Sequence, residues 1–174
     1  MQTGRRAGRC ELPTIDTALL LAGMRTAASY FDHDDEAERE IRTLADALYR
    51  RADWQWAQNR GAALTHGWKP ERGFLKYRWT GYDEALLLYA LGLGSPTYPL
   101  PDASYAAWTA TYQWRELYGP ELLYGSSLLI HQHSPLWIDF LGINDVLLTG
   151  KGRHYFENSR PARHRPNQAP THNG

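Results

Sequence analysis

Two acidic residues stand where a carboxyl group could serve as an acid or a base. Glu84 directly follows Tyr82 and Asp83 and comes after an aromatic run of Phe74, Tyr77 and Trp79. Apolar and aromatic surroundings disfavour the charged carboxylate and raise its pKa, which suits a proton donor near neutral pH. Asp16 falls in the first turn of an expected helix, far from Glu84 along the chain, so only the fold can bring the two together. Each placement has a second reading. An acid in the first turn of a helix is stabilised by the helix dipole whether or not it does chemistry.

A further cluster, Gln132, His133, Trp137 and Asp139, offers hydrogen-bonding groups and a flat ring to a hydroxyl-rich ligand. The same residues could instead form a buried polar network tying a loop to the next helix. His66 and Trp68 point the same way if their run is a strand, with Lys69, Arg72, Tyr77 and Arg78 nearby. The alternative is a surface hairpin with snorkelling cations. His131 and His133 are two residues apart, which projects them to opposite sides of an extended chain, and no third ligand is evident. No metal site and no cofactor are expected.

Composition narrows the classes. Nineteen Lys and Arg balance nineteen Asp and Glu, so no broad electrostatic attraction to nucleic acid or an anionic membrane is expected. The single cysteine, Cys10, allows no internal disulfide. The longest apolar stretches, such as Ala85–Leu93, are far shorter than the ~20 residues that cross a bilayer. The basic start, Met1–Cys10, leads into Glu11, Pro13 and Asp16 rather than an apolar signal core, so as written a cytoplasmic location is expected. Seven Trp and eleven Tyr against four Phe favour rings that pair a flat face with a polar handle, as sugar-binding surfaces do. Such rings also pack ordinary cores.

The elements that must position these residues read as mainly helical. Apolar periodicity predicts a helix over 15–31 with Thr14 as its cap, then an acidic turn and a second helix over 36–57 capped by Asp35, together an antiparallel hairpin. Residues 63–68 and 74–79 read as a β-hairpin or a long ordered loop. A third helix is expected over 82–93, a fourth over 103–118, a loop over 119–135 and a glycine-interrupted fifth helix over 136–158. Helices in succession without βαβ alternation argue for a bundle or toroid rather than a parallel sheet.

Four segments carry a resemblance: Thr14–Gly23 (TIDTALLLAG), Gly81–Tyr89 (GYDEALLLY), His131–Phe140 (HQHSPLWIDF) and Tyr155–Arg160 (YFENSR). In this order they resemble the bacterial glycoamylase-like family, which includes endo-β-1,2-glucanases. A related domain occurs in cyclic β-1,2-glucan synthases. The resemblance runs from about Thr3 to Arg160 and implies a partial (α/α)6 toroid over 1–160, built from helical hairpins with a small β-hairpin insertion. Thr3–Ala7 resembles an internal piece of the family domain, and the family continues with more helices after Arg160. An internal fragment with a disordered polar tail over 161–174 is therefore expected.

By the same resemblance Glu84 matches the catalytic glutamate, the general acid of an inverting hydrolysis, and Asp16 matches a cleft carboxylate. His66, Trp68, Tyr82, Gln132, His133, Trp137 and Asp139 become substrate-binding residues along a glucan cleft, with β-1,2-glucan as the substrate. Glucanase-like members carry another acid three residues before Asp16, where this chain has Pro13. That departure keeps a second reading open, a glucan-binding remnant without turnover. Part of a cyclic-glucan synthase is a third, a helical interaction module without a sugar role a fourth. Full-length relatives are expected in the periplasm or at a membrane. A partial toroid leaves helix faces uncovered, from which self-association is expected.

Overall fold

The computed structural model describes residues 6–116 and 121–162. The polar tail expected from 161 onward lies outside the described residues, apart from Pro161 and Ala162, which sit in the last helix.

The first two helices form the expected antiparallel hairpin. Helix α1 spans Thr14–Tyr30 and α2 spans Glu36–Arg50. Asp35 caps α2 by accepting from the Glu38 amide at 3.0 Å. Across the hairpin, Arg25 lies over the Tyr49 ring and 3.7 Å from Asp46, while Arg42 donates to the His33 carbonyl at 3.0 Å.

Three expected boundaries are corrected. Thr14 does not cap α1; Pro13 holds that position, and the Thr14 hydroxyl is taken by long-range partners. The second helix ends at Arg50 instead of running to Ala57. Asp53 starts a new helix, α3 (Trp54–Gln58), by accepting from the Trp56 amide at 2.8 Å. An aspartate competing for backbone amides in this way favours a fresh cap over a continued helix. The third helix, α4 (Leu86–Leu93), begins four residues later than expected, because residues 81–85 form an ordered turn.

Between α3 and α4 lies a small antiparallel sheet, with strands β2 (Gly67–Lys69) and β3 (Gly73–Phe74) forming the expected hairpin. The pairing continues outward as an isolated bridge between Thr65 and Arg78. A third strand, β1 (Leu12–Pro13), joins the outer edge of β2, with Leu12 opposite Trp68.

The second half departs most from the expectation. Helix α5 covers only Asp102–Thr109. The Thr109 hydroxyl bonds back to the Tyr105 carbonyl at 2.9 Å, and Thr111, Tyr112 and Trp114 are residue types favoured in strands. Strand β4 (Trp114–Glu116) follows and pairs with β5 (Glu121–Leu123). The segment read as a loop contains helix α6 (Leu128–His133), running into a 3-10 turn at Ser134–Leu136. The expected fifth helix is two short ones, α7 (Val146–Thr149) and α8 (Tyr155–Ala162), with Gly152 between them at φ +68°.

Helix α4 is the centre of the molecule. Leu86, Leu87, Leu88 and Tyr89 are all buried, so the helix is apolar all round and surrounded by protein. Around it pack Ala18 and Leu21 of α1, Trp54, Leu64 and Trp108. Among the described residues no helix is long and apolar enough to cross a membrane.

Candidate active site at the start of the central helix

Glu84 lies on the turn that feeds α4, and this turn is fastened at several points. Gly81 has φ +87°, in the left-handed region that glycine enters without strain. Its amide donates to the Trp108 carbonyl at 2.7 Å. That carbonyl lies in the last turn of α5, where helix carbonyls lack intrahelical partners. Asp83 Oδ1 accepts from the Ala85 amide at 2.9 Å and from Trp108 Nε1 at 3.1 Å. Burial pushes the Asp83 carboxyl up to about 6, and the neighbouring Glu84 charge adds to this, while the two hydrogen bonds oppose it. Glu84 itself is half-buried and makes no hydrogen bond or ion pair among the described residues.

His66 stands within the electrostatic reach of Glu84. Its imidazole stacks on Trp79, with centroids 3.9 Å apart and planes 17° off parallel. Burial holds its pKa below the usual histidine value, against opposing contributions from the Arg78 backbone and the Glu84 charge. A neutral imidazole can both donate and accept a hydrogen bond.

The start of α1 is tied to the same place. The Thr14 hydroxyl donates to the Thr65 carbonyl at 2.7 Å, with the His66 carbonyl 3.2 Å away, and it accepts from Trp79 Nε1 at 2.9 Å. Asp16, two residues further along, is exposed at this end of the helix. Helices α1 and α4 pack against each other. The fold therefore gathers the first turn of α1, the His66–Trp79 stack and the Glu84 turn at one end of the packed helices.

A polar cavity of about 250 Å³ is lined in part by residues of the same turn. Thr80, Gly81 and Tyr82 form one wall, and Thr111, Gln113, Tyr124 and Ser126 the rest. Tyr82 is otherwise a core residue. Its ring meets His131 and stacks on Tyr155, its hydroxyl is 3.5 Å from Ser159 Oγ, and burial pushes its pKa up to about 12. Behind it, the hydroxyls of Tyr112, Tyr155 and Tyr105 form a hydrogen-bonded row at 2.8 and 2.6 Å that ends on Asp145.

Among the other sequence candidates, Gln132 and His133 precede Ser134, whose hydroxyl accepts from the Leu87 amide in the first turn of α4 at 3.1 Å. Trp68 packs on Trp56 at 5.8 Å, in an aromatic group with Phe74 that is separate from the His66 stack. Gln132 is exposed near the end of α6. His133 is half-buried, with Nδ1 unpartnered among the described residues. Asp139 is exposed and accepts from the Leu141 amide at 2.9 Å. Trp137 lines a groove of about 330 Å³ along the flanks of α1 and α4, with Ala22, Arg25, Thr26, Leu87 and Leu91.

Sequence reasoning passed over Asp83, Trp108, Trp79 and the cavity residues Thr111, Gln113, Tyr124 and Ser126. For Asp83 a local signal existed. An aspartate two residues before the first amide of an apolar run is a recurrent backbone-capping arrangement. Trp79 stands in the aromatic run before Glu84, but its stack with His66 and its bond to Thr14 are made only in the fold, and the others come from distant segments.

Comparison with known proteins agrees with this architecture. The glycoamylase family model, described as "Putative glucoamylase", matches residues 76–168, more than half of the chain. The chain belongs to this family. A curated relative is the exo β-1,2-glucooligosaccharide sophorohydrolase (non-reducing end) of Parabacteroides distasonis, 24% identical over 169 residues. That match covers 84% of this chain and 23% of the relative. A crystal structure of a "putative glucoamylase" from Bacteroides fragilis superposes with a TM-score of 0.80 at 27% identity, covering 91% of this chain and 40% of that one. The β-1,2-glucanase of Parabacteroides distasonis shares the fold with a TM-score of 0.75 at 23% identity, over 85% of this chain and 24% of its own. The fold is that of a mainly α protein spanning part of a helical toroid. The chain spans about a quarter of the curated relative's length.

Proposed function

We propose that this chain supplies the acid-bearing part of a glycoside hydrolase cleft acting on β-1,2-linked glucan. The observation that carries the proposal is the setting of Glu84. It makes no hydrogen bond or ion pair among the described residues, lies on a fastened turn within the electrostatic reach of His66, and follows Thr80, Gly81 and Tyr82, which wall a cavity lined by hydroxyls and an amide. A half-buried carboxyl can, when it holds a proton, give it to the oxygen of a departing sugar. The uncharged polar cavity suits a glucosyl unit, which offers hydroxyls and no charge. Two relatives support the linkage, one named a β-1,2-glucooligosaccharide sophorohydrolase and the other a β-1,2-glucanase.

In the proposed reaction Glu84 protonates the leaving oxygen as its bond to the anomeric carbon breaks, while water attacks that carbon from the opposite face, with inversion, and gives up its proton to the second carboxylate of the cleft. Asp16, at the exposed start of α1, is the second carboxylate of the cleft. His66 hydrogen-bonds a sugar hydroxyl, and Trp79 holds the imidazole in its plane.

The test is reducing-sugar release from linear β-1,2-glucan, with β-1,3-glucan as the comparison. Release from the first polymer alone is expected, with a loss of roughly a thousandfold in Glu84→Gln and an unchanged circular dichroism spectrum. Equal release by Glu84→Gln would remove Glu84 as the acid. Binding of the glucan without any release would make this chain a binding segment.

A further inference from the structure

The candidate acid poses a positioning problem. Its carboxyl has no hydrogen-bond partner among the described residues, so its location is set by its backbone. That backbone belongs to neither a helix nor a strand, since residues 81–85 precede the first turn of α4. Yet a displacement of about 1 Å at a reacting group costs roughly a hundredfold in rate.

We propose that Asp83 and Trp108 are positioning residues that set where the Glu84 carboxyl stands. This rests on the reading of Glu84 as the acid. Three hydrogen bonds fix the turn on both sides of Glu84, and the two long-range ones end on one residue. Gly81 N donates to the Trp108 carbonyl at 2.7 Å, and Trp108 Nε1 donates to Asp83 Oδ1 at 3.1 Å. The third, from the Ala85 amide to Asp83 Oδ1 at 2.9 Å, closes the turn over Glu84 itself. Trp108 is a rigid anchor. It is fully buried, stacks on Tyr89 at 4.9 Å and meets the edge of Tyr112 at 5.3 Å. The indole therefore cannot turn without disturbing the central helix. Asp83 forms no ion pair among the described residues, so its carboxyl is held in this half-buried place by the indole and the amide alone.

The test uses Asp83→Ala, Asp83→Asn, Trp108→Phe and Glu84→Gln on two substrates. One is linear β-1,2-glucan. The other is a dinitrophenyl β-glycoside of the β-1,2-linked glucose disaccharide, whose leaving group departs without protonation. Asp83→Ala is expected to lower kcat on glucan by about a hundredfold with KM changed less than about threefold. On the dinitrophenyl substrate the loss is expected to be about tenfold smaller, because a misplaced acid matters less there. Asp83→Asn is expected to recover most of the loss, since an amide oxygen can accept the same two bonds.

Equal losses on both substrates in Asp83→Ala, or an Asn variant as impaired as the Ala variant, would overturn the proposal. If Glu84→Gln shows no dependence on leaving group, the acid assignment itself fails, a result separate from the positioning one. A readout independent of turnover comes from the amide resonances of Gly81–Ala85. In Asp83→Ala and Trp108→Phe these are expected to shift and exchange faster with solvent, while those of α2 stay in place. Unchanged resonances in both variants would overturn the proposal even for a chain that turns over neither substrate.

Discussion

The stretch from Leu12 to Thr109 and the stretch from Leu128 to Leu147 differ in how fully their large apolar residues are buried, although the first also exposes Leu20, Tyr30 and Leu44 and the second buries Phe140. In the first, Leu64, Leu88, Tyr89 and Trp108 are fully buried, and α4 is enclosed on every side. In the second, Leu129, Leu136, Leu141 and Val146 are 57, 77, 62 and 90% exposed. In the first stretch α1, Trp54 of α3 and Trp108 of α5 pack around α4, and Leu123, Phe140, Leu148 and Tyr155 complete the same core. The second has only short helices, and their outer faces meet nothing among the described residues. The candidate chemistry sits in the well-packed part, where the hydrogen-bonded turn carries Glu84.

The largest expected effect tests this contrast directly. Leu88→Ala should destabilise the fold by about 3 kcal/mol, through lost burial and the cavity left behind. Val146→Ala, at a position 90% exposed, should cost no more than about 0.5 kcal/mol. Urea unfolding of both variants is the measurement. Similar costs would show that the second stretch is covered in solution, by a second copy of the chain for instance. Sedimentation of the same samples would then reveal the association.

A smaller effect probes the carboxyl inside the well-packed part. The folded pKa of Asp83 is raised to about 6 from an ordinary value of 3.8, so between these values the folded state holds more proton than the unfolded one. Stability therefore falls as pH rises through this window, by up to about 3 kcal/mol in total, and no further above it. Asp83→Asn should flatten that part of the profile. Thermal melts from pH 3.5 to 7.5 check the point, and an unchanged slope in the variant would assign the dependence to another group.

The same contrast explains what could be read in the chain beforehand. The α1–α2 hairpin was legible because its apolar positions recur with helical spacing and Asp35 supplies a cap. The hairpin around Gly73 was legible from its strand-forming flanks. The helix expected over 103–118 was not, because Tyr105, Trp108, Tyr112 and Arg115 fit a helical stripe while the strand pairing of Trp114 with Leu123 is a long-range choice. The turn of residues 81–85 was hidden likewise. Its bonds to Trp108 join segments that no local pattern connects. For the candidate site, Glu84 and Asp16 emerged from a motif match, whereas Asp83 and Trp79 owe their roles to partners brought in by the fold.

The finest test concerns two aromatic residues on either side of the divide. His66 belongs to the packed part, stacked on Trp79 and within the field of Glu84. Trp137 follows α6, and its ring lies in the groove along α1 and α4, whose lining residues include neither Glu84 nor His66. A sugar held at the Glu84 turn would touch the first and miss the second. His66→Ala is therefore expected to weaken binding of a β-1,2-glucooligosaccharide by roughly tenfold, the loss of one or two hydrogen bonds. Trp137→Ala should change it by less than about threefold, since only indirect packing is lost. Calorimetric titration with a linear oligosaccharide separates the two. A tenfold loss at Trp137 would mean that the ligand runs along the α1–α4 groove as well as across the turn. The uncovered second stretch would then be part of the binding surface.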